Sequence, residues 1–347
     1  MEPLPATTPT GAPMPKVALA GFYGAGNFGD DLSASLFGLA LRRLGIPFSL
    51  YGLCEPYVAR FGFDRAATIE DLLDASGAFV WGGGGLLISW SRLTYRVLYP
   101  SAASGLDRLV RAVLERDIPV LLSSIGGDGR QLQTLTPAYR ARLVEAAQSV
   151  TVRNPQDVAL LEAVDQRARY FPDIVWGLSR VLPMERRRSA RPRIGFDLYP
   201  SNLVRQGALR LLPRLQAAVN ARPECDFVFI DTTNASCRKY RGLAGIIRGP
   251  NVSRYQFRDL DEDLAFVASL DAVFSSRLHM PVVAMQYGVP ALSVFAEPKT
   301  RMLFANLGLE RYSFHRDRTS ELGVLMASRT AFDRLVAEFA FPDAHRL

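Results

Sequence analysis

The stretch that decides the fold is 270-LDAVFSSRLHMP-281. Its apolar start predicts a buried strand. Pro281 and the apolar residues 282–287, closed by Gly288, predict a helix, because proline is tolerated in the first helical turn and glycine commonly follows the last. Residues 275–279 therefore lie where a strand ends and a helix begins. Free backbone N–H groups and the helix dipole favour an anion at such a place.

A second strand-to-helix junction of the same kind follows along the chain. The apolar residues 291–296 predict the next strand, and Glu297-Pro298-Lys299 comes directly after it. If the two strands are parallel, the side chains of Arg277, His279 and Lys299 emerge at one edge of one sheet. The hydroxyl group of Ser276 joins them, so we predict an anion site at this edge.

Strand-like and helix-like patterns alternate through both halves of the chain. We predict strands over residues 16–23, 47–53, 78–81, 118–124, 149–152, 193–198, 226–231, 252–257, 272–275 and 291–295. Strands that alternate with helices indicate a parallel sheet with helices on both faces, and ligands bind outside the carboxyl ends of such strands. The predicted class is α/β, with two Rossmann-like domains facing each other across a cleft, the architecture called GT-B.

A proline and a cluster of arginines interrupt this alternation between the two halves. The predicted domains are a disordered tail over residues 1–15, a first Rossmann-like domain over 16–175, a linker over 176–192, a second Rossmann-like domain over 193–315 and C-terminal helices over 316–347. The tail has neither the basic start nor the apolar middle of a secretory signal. No run of eighteen apolar residues predicts a membrane span.

The composition narrows the range of partners. The net charge is +7, which suits an acidic or phosphorylated ligand. Lysine occurs only three times, so the charge reflects general arginine usage, and without a binding motif we predict no nucleic-acid partner. The chain has three cysteines and three histidines. These are too few for a disulfide framework or a histidine-rich metal centre, so we predict no metal and a reducing cytoplasm.

Two glycine-rich loops follow predicted strands of the first domain. The loop 24-GAGNFGDD-31 formally matches the dinucleotide-binding fingerprint, and Asp30 is placed to cap the next helix. Residues 82–85 are four glycines, which let a ligand or another backbone approach closely. A tight turn that needs glycines explains the first loop equally well, and a flexible loop is the structural alternative for the second. A nicotinamide-dependent dehydrogenase stays open. The candidate ligand-facing residues of these loops are Gly26, Asn27, Asp30, Gly83 and Gly84.

Taken in chain order, these motifs resemble the polysaccharide pyruvyl transferase family. The resemblance is carried by GAGNFGDD at 24–31, the glycines 82–85, Val152-Arg153-Asn154, Phe171-Pro172-Asp173, Arg277-Leu278-His279 with Gly288-Val289-Pro290, and Pro298-Lys299. It implies a GT-B-like fold and an enzyme that transfers the enolpyruvyl moiety of phosphoenolpyruvate to a sugar, usually as a cyclic ketal. Asp31 departs from the family pattern, which often has glutamate there.

The resemblance also implies roles for single residues. It implies that Arg153, Arg277, Leu278 and His279 lie around phosphoenolpyruvate and that a lysine at or near position 299 joins them. It also implies that the first domain, with its glycine loop, faces the acceptor. The chemistry of the donor agrees, because arginine forks suit a carboxylate and a phosphate. His279 is the natural proton donor to the methylene carbon, although it could serve only as a phosphate ligand.

The transfer also needs a base that accepts the proton of the sugar hydroxyl. Asp30 or Asp173 could accept it. No cofactor is required, since phosphoenolpyruvate is a co-substrate.

The predicted function is therefore pyruvate transfer from phosphoenolpyruvate to a sugar during surface or exopolysaccharide biosynthesis. A GT-B glycosyltransferase using a nucleotide-sugar is one alternative, and a non-catalytic anion-binding partner in polysaccharide assembly is another. The acceptor stays open among a polymer, a nucleotide-sugar and a lipid-linked saccharide. A lipid-linked acceptor would bring this cytoplasmic protein to the inner face of the membrane, where the arginines 186–188 suit acidic lipid.

Overall fold

The computed structural model of the protein describes residues 14–24, 26–74, 76–88, 100–128, 139–163, 167–187, 189–199, 203–204, 209, 211–233 and 246–342. The predicted disordered tail lies outside these residues except for its last two, and so does Arg188 of the arginine cluster. The chain divides into two compact units, Met1–Ile174 and Val175–Leu347. No helix in the described ranges combines the length and the apolar character that a membrane crossing needs.

The first unit is one parallel sheet with helices between its strands. Its strands are β1 Lys16–Ala20, β2 Phe48–Leu50, β3 Ser76–Gly82, β4 Val120–Ile125, β5 Ala147–Val152 and β6 Ala168–Tyr170. Its helices are α1 Phe28–Arg43, α2 Glu55–Phe61, α3 Ile69–Asp74, α4 Pro100–Glu115, α5 Tyr139–Glu145 and α6 Pro155–Glu162. The strand order is β2-β1-β3-β4-β5-β6. The five predicted strands are confirmed, whereas the short β6 at the sheet edge was not predicted.

Helix α1 begins earlier than the sequence pattern indicated. Its first residue is Phe28 and its N-cap is Asn27. The carbonyl of Asn27 accepts hydrogen bonds from the N–H groups of Asp30 and Asp31 at 3.0 and 3.1 Å. The prediction that Asp30 caps this helix is therefore wrong. Asp30 lies in the first turn instead, where its negative charge interacts favourably with the positive end of the helix dipole.

The second unit is also one parallel sheet. Its strands are β7 Arg193–Asp197, β8 Asp226–Asp231, β9 Val252–Gln256, β10 Ala272–Ser275, β11 Ala291–Val294 and β12 Ser313–Phe314. Its helices are α7 Leu178–Val181, α8 Leu211–Ala221, α9 Leu260–Ala268, α10 His279–Gln286, α11 Pro298–Asn306, α12 Thr319–Ala327 and α13 Arg329–Ala337. The order β12-β11-β10-β7-β8-β9 is that of the dinucleotide-binding Rossmann fold. Two C-terminal helices were predicted, and the two-residue β12 was not.

The two faces of the second sheet differ in chemistry. Because alternate residues of a strand point to opposite faces, Phe196 of β7 and Phe274 of β10 share one face, where their rings stack at 5.0 Å. On the other face, the neighbouring strands align Asp197 with Ser275, Ser275 with Ser293, and Ser293 with Ser313. These four polar residues are buried. They form a polar row, which is named so below.

Each sheet has a point at which the chain reverses its direction of growth. In the first sheet the point lies between β1 and β3, and in the second it lies between β7 and β10. Connections leave to opposite sides there, which opens a crevice outside the carboxyl ends of the strands where ligands bind in this fold class. The glycine loops follow β1 and β3, and the stretch Ser275–His279 lies at the end of β10, so these candidate residues stand at the switch points, whereas Arg153 follows β5 and Lys299 follows β11.

Candidate functional site

The predicted strand-to-helix junction exists at the switch point of the second sheet. Strand β10 ends at Ser275, and α10 begins at His279 with Leu278 as its N-cap. The helix begins at the last residue of the predicted junction 275–279, and Pro281 lies in its first turn as predicted. Backbone N–H groups at the start of α10 have no partner within the helix, which makes this end favourable for an anion.

Asp197, at the end of β7, is the centre of the hydrogen-bond network at this junction. Its Oδ2 accepts a hydrogen bond from the Ser275 hydroxyl at 2.7 Å, and its Oδ1 accepts one from the Thr232 hydroxyl at 3.2 Å. Burial raises the pKa of the Asp197 carboxyl, while Arg277 lowers it. The carboxylate is therefore enclosed by hydroxyl donors rather than by water.

Arg277 is fixed from two sides. Its Nη1 donates a hydrogen bond to Oγ1 of Thr232 at 2.8 Å, and its backbone N donates to Oγ of Ser275 at 2.9 Å. The guanidinium carbon lies 5.2 Å from the centre of the Tyr199 ring, a cation–π arrangement. A guanidinium held in this way presents its remaining N–H groups in one orientation, which suits a planar anion such as a carboxylate.

The other residues of the stretch are buried. The His279 side chain is 8 % exposed at the first position of α10, and Leu278 is 6 % exposed. The hydroxyl of Ser276 accepts a hydrogen bond from the backbone N of Tyr199 at 2.6 Å and donates to the carbonyl of Asp197 at 3.4 Å. Ser276 thus joins the ends of β7 and β10, and its predicted contact with a donor stays a prediction.

Lys299 lies at the edge of the sheet that the sequence indicated. Strand β11 pairs in parallel with β10, and α11 begins at Pro298 directly after Glu297. Nζ of Lys299 lies 3.1 Å from Oε2 of Glu297. The positive charge of Lys299 is therefore shared with a neighbouring carboxylate. This pairing reduces the point charge that it offers to an anion.

In the first unit, Arg153 emerges at the end of β5. Its Nη1 lies 2.7 Å from Oδ2 of Asp173, and both side chains are buried. A Cβ atom on Gly126 would lie 2.4 Å from Nε of Arg153, so only glycine leaves room for the arginine here. The sequence suggested a base for Asp173, and the structure gives it a counter-ion role that the sequence did not indicate.

The sequence also missed a neighbouring buried carboxyl. Oδ2 of Asp157 accepts hydrogen bonds from the backbone N of Gly127 at 2.8 Å and from Nδ2 of Asn154 at 2.7 Å. Burial raises the pKa of Asp157. A Cβ on Gly127 would lie 2.5 Å from Oδ1 of Asp157. The consecutive glycines 126–127 at the end of β4 were the signal for this close approach.

The two glycine loops of the first unit meet at its switch point. Nδ2 of Asn27 donates a hydrogen bond to Oδ2 of Asp30 at 2.5 Å. A Cβ on Gly84 would lie 3.6 Å from Oδ1 of Asp30. Gly26, Gly83 and Gly84 all have positive φ angles, between 74° and 79°, which side chains of L-residues rarely adopt. The structure thus brings together the candidate residues of both loops.

Asp31, beside these loops, is a buried titratable group whose environment the sequence did not predict. It accepts a hydrogen bond from the backbone N of Gly24 at 2.9 Å. Burial raises its pKa to about 8, and the charge of Asp30 adds to this. A carboxyl group in this state is largely protonated at neutral pH. Among the residues that the structure describes, no group of three His, Cys, Asp or Glu side chains could hold a metal ion.

Solved structures with the same fold are distant in sequence. S. aureus MnaA, in a structure with UDP, matches with a TM-score of 0.62 at 9 % identity, over 95 % of this chain and 92 % of that one. The UDP-GlcNAc 2-epimerases of Neisseria meningitidis and Methanocaldococcus jannaschii match with TM-scores of 0.58 and 0.59 at 11 % and 9 % identity, over 95 % of each chain in both cases. The predicted α/β class with a GT-B-like fold is therefore confirmed.

The family assignment comes from the sequence itself. Among curated proteins, none matches this sequence. The sequence pattern of the family described as polysaccharide pyruvyl transferase matches residues 27–296, more than half of the chain. The matched region begins at Asn27, after β1, and ends two residues after β11, so it includes Arg153, Asp173 and the stretch Ser275–His279 at the switch point of the second sheet. The chain belongs to the polysaccharide pyruvyl transferase family.

Proposed function

We propose that the protein transfers pyruvate from phosphoenolpyruvate to a sugar acceptor as a ketal. The observation that carries this proposal is the fixed guanidinium of Arg277 beside the start of α10, at the switch point of the second sheet. A compact molecule with a carboxylate and a phosphate needs several donors close together. Arg277 supplies a planar fork, α10 supplies the backbone N–H groups of its first turn, and Lys299 supplies a partly neutralised charge.

The reaction begins with protonation of the donor. His279 donates a proton to the methylene carbon of phosphoenolpyruvate, which becomes a methyl group, and the adjacent carbon becomes electrophilic. A hydroxyl of the sugar attacks that carbon, and its proton passes to a base. As a second hydroxyl closes the ketal, its proton goes to the departing inorganic phosphate, and the base returns the proton of the first hydroxyl to His279. One hydroxyl proton thus replaces the one that His279 gave.

The first unit carries the acceptor in this proposal. The carboxylate of Asp30, which is partly buried, stands beside Gly84 of the second glycine loop. In this proposal Asp30 accepts the proton of the attacking hydroxyl. Arg153 binds one of the anionic groups of the donor, with Asp173 holding the guanidinium in place. Gly26, Asn27, Gly83 and Gly84 shape the acceptor surface.

The acceptor we propose is a saccharide intermediate of surface or exopolysaccharide biosynthesis in the cytoplasm. A nucleotide-sugar, a lipid-linked saccharide and a polymer all present two neighbouring hydroxyls. The transfer as written needs only a proton donor and a proton acceptor besides the two substrates. We therefore propose no cofactor. Contact with the inner face of the membrane follows if the acceptor is lipid-linked.

The test is a transfer assay with a panel of saccharide acceptors. Purified protein, phosphoenolpyruvate and each acceptor are incubated, phosphate release is measured, and products are weighed by mass spectrometry. Phosphate release together with a pyruvate ketal on one acceptor supports the proposal. Release of UDP or GDP from a nucleotide-sugar, without added pyruvate, would make the protein a glycosyltransferase instead. Tight acceptor binding with no turnover of any donor would indicate a non-catalytic assembly partner.

A further inference from the structure

Two hydroxyl groups connect one buried carboxylate to both ends of Arg277. The Ser275 hydroxyl donates to Oδ2 of Asp197 at 2.7 Å and accepts from the backbone N of Arg277 at 2.9 Å. The Thr232 hydroxyl donates to Oδ1 of Asp197 at 3.2 Å and accepts from Nη1 of Arg277 at 2.8 Å. Each carboxylate oxygen therefore acts on a different part of the arginine through one hydroxyl.

The donor and acceptor roles of the two hydroxyls are fixed by their partners. A hydroxyl has one proton to donate, and an ionised carboxylate can only accept. With both protons directed at Asp197, the lone pairs of the two hydroxyls face the N–H groups of Arg277. The arrangement joins β7, β8 and β10, because Asp197 ends the first, Thr232 follows the second and Ser275 ends the third. Sequence separations of 35 and 78 residues are bridged by the two bonds to Asp197.

The surroundings of Asp197 have few charges. Arg277 and Asp231 are the charged groups that act on it, and Asp231 is itself paired with Arg254 at 3.0 Å. The Asp197 side chain is buried, as are Thr232 and Ser275. The Tyr199 ring covers the guanidinium. Rotation of Arg277 away from its observed direction would break the bond to Thr232 and leave a buried hydroxyl without its donor.

We propose that Asp197 is a positioning residue, which orients the anion-binding guanidinium of Arg277 through Thr232 and Ser275. The identity of the anion as phosphoenolpyruvate rests on the proposed function, whereas the orientation of Arg277 does not. The proposal and a simple charge effect predict opposite changes in anion affinity when Asp197 is neutralised. A negative carboxylate near an anion site repels the anion, so its neutralisation by itself would tighten binding. If Asp197 orients Arg277, its neutralisation weakens binding.

Three variants test the proposal, with phosphoenolpyruvate as the probe and isothermal titration calorimetry as the measurement of affinity. Thr232→Val removes the hydroxyl at constant shape and charge, and we expect affinity to fall about tenfold, the loss of one hydrogen bond to a charged group. Thr232→Ser restores the hydroxyl and should recover most of the affinity. Asp197→Asn should also weaken binding. Unchanged affinity in Thr232→Val, or tighter binding in Asp197→Asn, would overturn the proposal.

Matched controls separate orientation from damage to the fold. Thr300 is a fully buried threonine whose Oγ1 has no hydrogen-bond partner in the described structure, so Thr300→Val should leave affinity unchanged. Asp263 is a buried carboxyl that accepts from the backbone N of Arg258, and Asp263→Asn serves the same purpose for Asp197→Asn. Free energies of unfolding in urea are measured for all variants. A loss of affinity can then be distinguished from a loss of folded protein.

A double-mutant cycle and a spectroscopic readout complete the test. In an Arg277→Ala background, Thr232→Val should cause no further loss, because its effect acts through the absent guanidinium. Additive losses would overturn the proposal. The guanidinium N–H signals of Arg277, identified by their loss in Arg277→Lys, should exchange slowly with water in the wild type and faster in Thr232→Val. This readout needs no ligand, so it decides the positioning role even if wild-type protein fails to bind phosphoenolpyruvate, which would overturn only the proposed function.

Discussion

Arg153 and Asp173 form an ion pair in which Nη1 of the arginine lies 2.7 Å from Oδ2 of the aspartate, with both side chains buried. The pair fastens the end of β5 to the residue before the 3₁₀ turn Ile174–Gly177. Oppositely charged groups in such a position depend on each other, because removal of either one takes a directly paired counter-charge away from a buried ion.

Asp173→Ala should therefore destabilise the protein strongly. Breaking a buried ion pair from one side costs about 3–5 kcal/mol of the free energy of unfolding, which urea titration measures. The control is Asp74→Ala, because Asp74 pairs with Arg116 on the surface of the same unit and such pairs contribute about 0–1 kcal/mol. Equal losses of unfolding free energy in the two variants would show that the buried pair contributes no more to stability than the surface pair does.

The contribution of Asp31 and Asp263 to the stability of the protein should fall as the pH rises from about 4 to 8, whereas His315, whose pKa burial lowers to about 4, acts in the opposite direction. The pKa of Asp31 is raised to about 8 by burial, and that of Asp263 to about 7 by burial. Each folded carboxyl holds a proton that the unfolded chain has released, so the folded state binds more protons across this window. One such group changes the free energy of unfolding by at most about 1.4 kcal/mol per pH unit.

The variant Asp31→Asn isolates that contribution. We compare urea unfolding of wild type and variant at pH 5, 6, 7 and 8, so that all other groups cancel in the difference. The variant should lose less stability between pH 5 and 8 than the wild type does. Parallel pH profiles would mean that Asp31 titrates near its ordinary value in the folded protein.

Gly127→Ala should destabilise the first unit, since the added Cβ would lie 2.5 Å from Oδ1 of Asp157 and 3.1 Å from Cβ of Leu87. We expect a loss in the range of about 1–3 kcal/mol that overpacking causes. Gly105→Ala is the matched substitution, because Gly105 lies in α4 with open space around it. Alanine is the better helix former there by about 0.5–1 kcal/mol, so the two thermal midpoints should move in opposite directions.

Arg277→Lys should weaken the binding of phosphoenolpyruvate about ten- to a hundredfold. Lysine keeps the charge but loses the planar fork, the hydrogen bond to Thr232 and part of the contact with Tyr199. Calorimetric titration measures the affinity. Arg254→Lys is the control, because Arg254 is an exposed partner of Asp231 on β9 and should have a much smaller effect. Wild-type affinity in Arg277→Lys would remove Arg277 from the donor site.

His279→Gln should reduce turnover far more than it reduces donor binding. Glutamine keeps a hydrogen-bond donor at the start of α10 but has no acidic proton for the methylene carbon. Steady-state phosphate release and calorimetry on the same preparation separate the two effects. Equal losses in turnover and in affinity would make His279 a phosphate ligand, and unchanged turnover would exclude it as the acid.

The parts of the fold that the sequence predicted are those with strong local signals. Strands β10 and β11 are apolar and followed by proline and glycine, so their positions were predicted closely. Strands β6 and β12 have three and two residues at sheet edges, which is too short for an alternating pattern. Helix α2 was missed as well, although Pro56 occupies its first turn, because its seven residues show too little periodicity.

The candidate site likewise has a part with a local sequence signal and a part without one. Arg277 and His279 could be predicted because a strand-to-helix junction is a local pattern. The partners of Arg277 could not, because Thr232 follows β8 and Asp197 ends β7, 45 and 80 residues earlier in the chain. The pairing of Arg153 with Asp173 was hidden for the same reason. Hydrogen bonds between distant residues follow from strand order, and strand order is not contained in the periodicity of any single segment.

The polar row of the second sheet has a consequence for how the chain folds. A shift of β10 by one residue would exchange Ser275 for Phe274 on that face and would turn a hydroxyl into the layer of stacked phenylalanines. Short parallel strands of four residues have few other features that fix their alignment. The same hydroxyls and carboxylate that organise the site therefore help to fix the register of the strands in the sheet. Misaligned intermediates are penalised before any ligand is present, so a mutation that improves the site electrostatically can still lower the yield of folded protein.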